Sequence, residues 1–349
     1  MSTIRSLQLP ERVRSGSLTT ARGNFAMLEA QPARGVADRG PALLLHGYTG
    51  SKENFLPVLE PLAAAGRVVV AVDLRGQYQS PHAPDRSGYS ATALAEDVLA
   101  IADAVAGDQA GVHLVGHSMG GLIAREAVLH HQGASGPRGL RSPQGTLCPP
   151  ESQQRDAFLS LTLLGSGPGP IAGDRAEDLR DVLALLDPAD GTVPDDVPRL
   201  AELVRLAWYE QHEPLARADG VDEHIIAFLR ERTLRTCPVS LIVLARYLLS
   251  CPDRTAELAE VVANGLPTAV VYGENDDAWP PGEQDWMAAR LGAERTCIPG
   301  AAHSPAIEAP VTTASTLTEF WNAAERSQPT VHTCGRARRG SSRPAAAAS

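Results

Sequence analysis

Ser118 lies between Gly116 and Gly120 in the stretch VHLVGHSMGGLIA, which begins at Val112. A serine hydroxyl becomes a useful nucleophile only when a base draws off its proton. The glycine–x–serine–x–glycine spacing alone is weak evidence, because a chain of this length meets it by chance on the order of one time in ten. Its setting carries more weight. A buried-looking run, VHLVG, precedes it, and a helical stretch from Met119 to about His131 follows. A sharp strand-to-helix turn there would lift Ser118 clear of a sheet and leave no room for a Cβ at either glycine. It would also aim the Met119 amide, at the start of the helix, toward the oxygen of a bound carbonyl.

The partners follow from chain order, which in such a site runs serine, acid, histidine. Only His303 and His332 lie late enough to follow an acid in the last third. His332 falls in a tail without a core pattern, whereas His303 follows the last strand-like run in PGAAHSP, so His303 is the candidate base. The acid belongs at the end of the preceding strand, where VVYGENDDAWPP offers Glu274, Asp276 and Asp277. Position alone does not separate Asp276 from Asp277. A second oxyanion donor belongs in the loop after the third strand, and the Tyr48 N–H in LLLHGYTG is the choice, with the Tyr48 ring walling the pocket. Trp208 and Trp279 are candidates for an apolar substrate lining.

These residues need a scaffold, and hydrophobic patterning supplies one. RVRSGSLTT and FAMLEA form an antiparallel opening; ALLLHG, RVVVAVDLRG, VHLVG, FLSLTLLG, TAVVYG and RTCIPG are short strands. Continuous Val/Leu runs of this length suit parallel strands buried on both faces. Helical spacing over 91–106 and in later stretches alternates with them, which predicts an α/β class with a mostly parallel central sheet and helices on both faces. From Asp174 to about Val262 only helices are predicted, beginning with a capping box from Asp174 to Glu177. This block reads as an inserted helical cap. The expected layout is a core of 1–165 and 263–327, a cap of 166–262, a flexible insertion over 133–156 and a disordered tail over 328–349. Tyr209, beside Trp208, also falls in the cap.

Composition narrows the classes. The chain has 349 residues, 43% hydrophobic and 21% charged, with a formal net charge of -10. The acidic balance and scattered basic residues argue against a nucleic-acid surface and suit a small-molecule partner. No apolar run is long enough for a membrane span, and the N-terminus lacks the apolar segment of a signal peptide. Cys148, Cys237, Cys251, Cys297 and Cys334 are odd in number and contain no C-x-x-C, which disfavours a disulfide framework or zinc site and makes the cytoplasm the default location. Oligomeric state is not legible.

Together the segments resemble the α/β-hydrolase superfamily over roughly 12–131 and 157–326. HGYTG is similar to its oxyanion motif, GHSMGG to its nucleophile elbow and DLRGQYQS to its D-x-R-G-x-G-x-S turn. GENDDAWP resembles G-x-x-D-x-x-x-P, which puts the acid on Asp276, and GAAHSPAIEAP resembles the segment that carries the histidine. The resemblance is greatest to bacterial serine esterases and cofactor-free haloperoxidase-like hydrolases. It implies an α/β-hydrolase fold, a Ser118–Asp276–His303 triad, no cofactor and no metal. The expected activity is cleavage of a carboxylic ester, thioester or lactone of a small to medium apolar substrate. A lyase or perhydrolase activity on the same triad and a non-catalytic binding protein are the alternatives. Two features depart from the pattern: Tyr78 stands where the family turn has a second glycine, and the insertion from Gly133 has no counterpart. A side chain at Tyr78 is expected to narrow the pocket. Ser118 at the nucleophile position argues against the dehalogenase and epoxide-hydrolase branches, which use aspartate.

Overall fold

A computed structural model describes residues 4–33, 35, 39–135, 156–187 and 197–327. Of the segments read as an insertion and a tail, 136–155 and 328–349 lie outside the described residues. The apolar runs form eight strands: β1 Val13–Thr20, β2 Gly23–Ala30, β3 Arg39–Leu45, β4 Arg67–Val72, β5 Val112–His117, β6 Phe158–Leu164, β7 Thr268–Gly273 and β8 Glu294–Ile298. They build one sheet in the order β1-β2-β4-β3-β5-β6-β7-β8. β2 pairs antiparallel with both neighbours, and every pairing from β4 through to β8 is parallel.

The period of two along each strand explains why whole runs are apolar. Leu43 and Leu45 face one side of the sheet with Val70, Val72 and Leu114. Leu44 faces the other with Val69, Ala71 and Val115. The first face is covered by α2 (Ala91–Ala106), α3 (Met119–Ser135) and α10 (Pro281–Leu291). The second is covered by α1 (Leu56–Ala64) and by α12 (Pro310–Ser327), with the short α11 (Pro305–Glu308) before it. Ser90 caps α2 by accepting the Ala93 N–H at 3.2 Å, and Gly107 ends it at φ 55°.

Between β6 and β7 lie α4 (Gly173–Leu186), α5 (Val197–Ala207), α6 (Glu213–Ala218), α7 (Glu223–Arg235), α8 (Pro238–Ser250) and α9 (Thr255–Ala263). A π-helical turn, Trp208–His212, joins α5 to α6. Leu186, Leu200, Val204, Val239, Leu241 and Ile242 make a separate apolar cluster within this block. α8, apolar nearly all round, is buried along most of its length, as its sequence requires. The capping box expected at Asp174 is absent. α4 starts two residues earlier than that box requires, with Ala172 as its N-cap and no side-chain cap, so Asp174 sits inside the first turn, where its charge faces the helix dipole.

The lower edge of the sheet is tied to α12 by one carboxylate. Glu325 accepts from Arg67 at 2.9 Å, Arg39 at 3.2 Å, the Gly40 N–H at 3.1 Å and His113 at 3.2 Å. Burial works to raise its pKa, but the His113 hydrogen bond and the Arg67 charge outweigh it and hold the carboxyl at about 2. Among the described residues no helix is long and apolar enough to cross a membrane.

Candidate active site

The upper edge of the sheet is where strain collects. Among the described residues, the non-glycine residues with positive φ are Thr49 at 57°, Tyr78 at 41° and Ser118 at 55°. They follow β3, β4 and β5, so three adjacent strands turn sharply at one edge. The Ser118 turn needs its glycines. A Cβ on Gly116 would lie 2.2 Å from the Gly120 carbonyl oxygen, and one on Gly120 would lie 2.5 Å from that of Leu45. The Ser118 N–H donates to Leu164 O at 3.0 Å, which fixes the turn to β6.

Ser118 Oγ is 2.9 Å from His303 Nε2, and His303 Nδ1 is 2.9 Å from Asp276 Oδ1. The chain of contacts joins the ends of β5, β7 and β8. Asp276 Oδ1 also accepts the Ala278 N–H at 2.9 Å, and Oδ2 accepts Gln284 Nε2 at 2.9 Å. Burial pushes the Asp276 carboxyl up, but His303, Ala278 and Gln284 outweigh it and hold it below the usual carboxylate value. Its neighbours serve elsewhere. Asp277 points outward into a bidentate pair with Arg175 of α4 at 2.9 and 3.1 Å. Glu274 accepts the Gly300 N–H at 2.9 Å. A neutral imidazole held this way can take the hydroxyl proton while the carboxylate steadies its charged form.

Two supporting residues are not among the sequence candidates. Gln284 is fully buried in α10 and divides its amide between Asp276 and the Trp279 carbonyl. Glu308 accepts the Ala302 and Ser304 N–H groups on either side of His303. Glu308 stands in a motif position that could have flagged it; nothing in the sequence distinguishes Gln284 from any other helical glutamine.

The loop after β3 packs directly on Ser118, since a Cβ on Gly47 would lie 2.9 Å from Ser118 Cβ. His46 is its peg: Nδ1 donates to Gly47 O at 2.7 Å and Nε2 accepts the Leu74 N–H at 3.1 Å. Burial lowers the His46 pKa to about 4, so the ring is neutral. The Met119 N–H lies in the first turn of α3, where amides lack an intrahelical acceptor.

The expected lining residues divide. The Trp279 ring lies 6.2 Å from that of His303, donates to Gly169 O at 3.2 Å and is buried. Tyr48 reaches the helical block, where its hydroxyl donates to Leu241 O at 3.0 Å. The structure gives that side chain a bridging contact rather than only a wall. Trp208 is buried in its π-turn, where it donates to Glu213 at 3.0 Å and stands beside His212; its polar and ring partners are these neighbours in the helical block rather than Ser118, Asp276 or His303. Tyr78 turns its ring edge-on to Phe228 of α7, 5.7 Å away, rather than toward Ser118. It lines a separate open groove of about 770 Å³ whose walls include none of Ser118, Asp276 and His303. Among the described residues no grouping of three or more His, Cys, Asp or Glu is placed to hold a metal.

A covered, mostly parallel sheet with a serine, a histidine and an aspartate meeting at one strand edge is an architecture shared by many hydrolases. Residues 42–316 match the profile of the family described as "Alpha/beta hydrolase family". That span exceeds three quarters of the chain, and the chain belongs to this family. It is 42% identical over 95 residues to a protein of Variovorax paradoxus with the provisional name carbamate hydrolase RutD, a match covering 27% of this chain and 35% of that one. It is 33% identical over 110 residues to a proline iminopeptidase of Lactobacillus delbrueckii subsp. lactis, covering 31% and 35%. The chain thus spans about a third of the length of these curated relatives. A thermophilic esterase from Thermogutta terrifontis superposes with a TM-score of 0.59 at 22% identity, covering 89% of this chain and 99% of that one, which shows a common fold.

Proposed function

We propose that the protein is a serine hydrolase that cleaves a carboxylic ester, thioester or lactone of a small to medium apolar substrate through an acyl-enzyme. The observation that carries this reading is the continuous hydrogen-bonded path from Ser118 through His303 to a buried Asp276. His303 takes the Ser118 proton as Oγ attacks the carbonyl carbon. Asp276 holds the imidazole with its proton on Nδ1 and stabilises the imidazolium. The Tyr48 and Met119 N–H groups receive the developing oxyanion. The imidazolium then protonates the leaving alcohol, and water, activated by His303, releases the acid. Trp279 supplies apolar lining beside the imidazole. Helices α4–α9 act as a cap over the site, and the contacts from Tyr48 to Leu241 and from Asp277 to Arg175 support that placement. The named activities of the relatives, on carbamates, peptides and esters, all involve an acyl carbon and are consistent with this chemistry.

The test is labelling with a fluorophosphonate probe, followed by a panel of esters, thioesters and lactones of graded chain length. Wild-type protein is expected to label and turn over; Ser118→Ala is expected to do neither while keeping its fold and melting temperature. Unlabelled, inactive wild-type protein, or ester cleavage that survives in purified Ser118→Ala, overturns the reading.

A further inference from the structure

We infer that His117, the residue before the proposed nucleophile, is a positioning residue for the reaction: its ring N–H grips the main-chain carbonyl of His303 and so sets where the proposed base stands. The inference rests on the Ser118–His303–Asp276 reading and extends it by one residue.

His117 Nε2 lies 2.7 Å from His303 O. A carbonyl oxygen only accepts, so the proton is on Nε2 and Nδ1 is bare. The ring is buried, and burial, followed by the charge on His303, drives its pKa down to about 4. It therefore stays neutral when His303 becomes an imidazolium, and it does not compete for the Ser118 proton. The two rings are 5.0 Å apart and tilted by 44°, so the link runs through the backbone rather than by stacking.

Gly165, at φ 53°, packs against the same carbonyl. A Cβ there would lie 2.9 Å from His303 O, 3.3 Å from Asp276 Oδ2 and 3.7 Å from the His117 ring. The carbonyl is thus held by a donor and closely approached by a residue that has no Cβ. Glu308 holds the amides of Ala302 and Ser304 on either side. Glu308 constrains the loop from its donor side, and His117 constrains it from its acceptor side. Because His117 and Ser118 are consecutive, the peptide that presents the nucleophile also anchors the base. A small shift of the β5 end then moves both together and preserves their separation.

The role calls for a neutral donor at a set reach. Lysine or arginine would place a permanent charge beside an imidazole that must itself become charged. Glutamine carries an amide N–H at the same bond count from Cβ as His117 Nε2; asparagine is one bond too short; leucine fills space without donating.

The experiment compares His117→Gln, His117→Asn and His117→Leu with wild type for kcat, KM, fluorophosphonate labelling rate and melting temperature. The Leu and Asn variants are expected to lose kcat by roughly ten- to a hundredfold with KM within about threefold, because a misplacement of about 1 Å at a reacting group is worth about 10² in rate. The Gln variant is expected to stay within about fivefold of wild type. If the Leu variant does not fold, the Gln and Asn pair decides. Wild-type kcat in Leu or Asn, or a Gln variant as impaired as either, overturns the inference. Wild-type protein that does not label overturns the triad reading instead, so the two failures are distinguishable.

Discussion

Asp276 and Asp277 are adjacent, alike in charge and both within reach of a loop at the sheet edge, yet their surroundings differ. Asp276 is buried with its lone pairs occupied by His303, Ala278 and Gln284. Asp277 is over half exposed and bound to Arg175 of α4. Asp276→Asn is expected to lower kcat by roughly 10³–10⁴, because an amide donor opposite Nδ1 favours the wrong tautomer of the imidazole. Asp277→Asn is expected to leave kcat within about threefold, since an exposed ion pair contributes little. Steady-state kinetics on the two variants in parallel checks both; equal losses would move the acid role off Asp276.

At the scale of an element, the turn from β5 into α3 depends on backbone contact that no side chain can replace. A Cβ at Gly120 meets main-chain oxygens of Leu45 and His46 at 2.5 and 2.6 Å, and main chain inside a sheet cannot move aside. Gly120→Ala is expected to destabilise by about 3 kcal/mol or more, as overpacking at its upper range, and to abolish labelling of Ser118. Gly133, in the same helix, has open space where a Cβ would stand, with no neighbouring atom within 4 Å, and its backbone is helical. Gly133→Ala is expected to stabilise by about 0.5–1 kcal/mol, through helix propensity alone. Urea denaturation of both variants provides the comparison.

At the scale of the whole molecule, a buried charge cluster ties the sheet to α12 at the strand ends opposite the candidate site. Arg67 is fully buried, and Glu325 is the carboxylate that neutralises it. Glu325→Gln leaves that guanidinium without its counter-charge and is expected to cost about 2–4 kcal/mol at pH 7. Because the folded-state pKa is depressed, to about 2, the native carboxylate contributes fully above the ordinary carboxylate range. That contribution is lost as pH falls toward 2. The gap between wild type and Glu325→Gln should therefore be constant near neutrality and shrink progressively on acidification. Melting temperatures measured from pH 7 down to pH 3 test this; a gap that does not narrow would show that packing rather than charge is responsible.

Much of this protein is legible from local pattern. Continuous apolar runs require strands covered on both faces, and the glycines around Ser118 can be tolerated together only at a tight strand exit, so the sheet, its flanking helices and the serine turn follow from short-range physics. His303 follows from its place after the last strand. What local pattern cannot determine is direction. Asp276 faces inward to His303 and Gln284, whereas Asp277 faces outward to Arg175 on a helix over a hundred residues earlier. The Tyr78 ring turns to α7, and Trp208 turns to Glu213. Gln284 and His117 gain their roles only when β5, β7, β8 and α10 meet at one edge. Hydrophobic periodicity records which face of an element is buried; it carries no information about which partner waits there, because that depends on how distant segments pack.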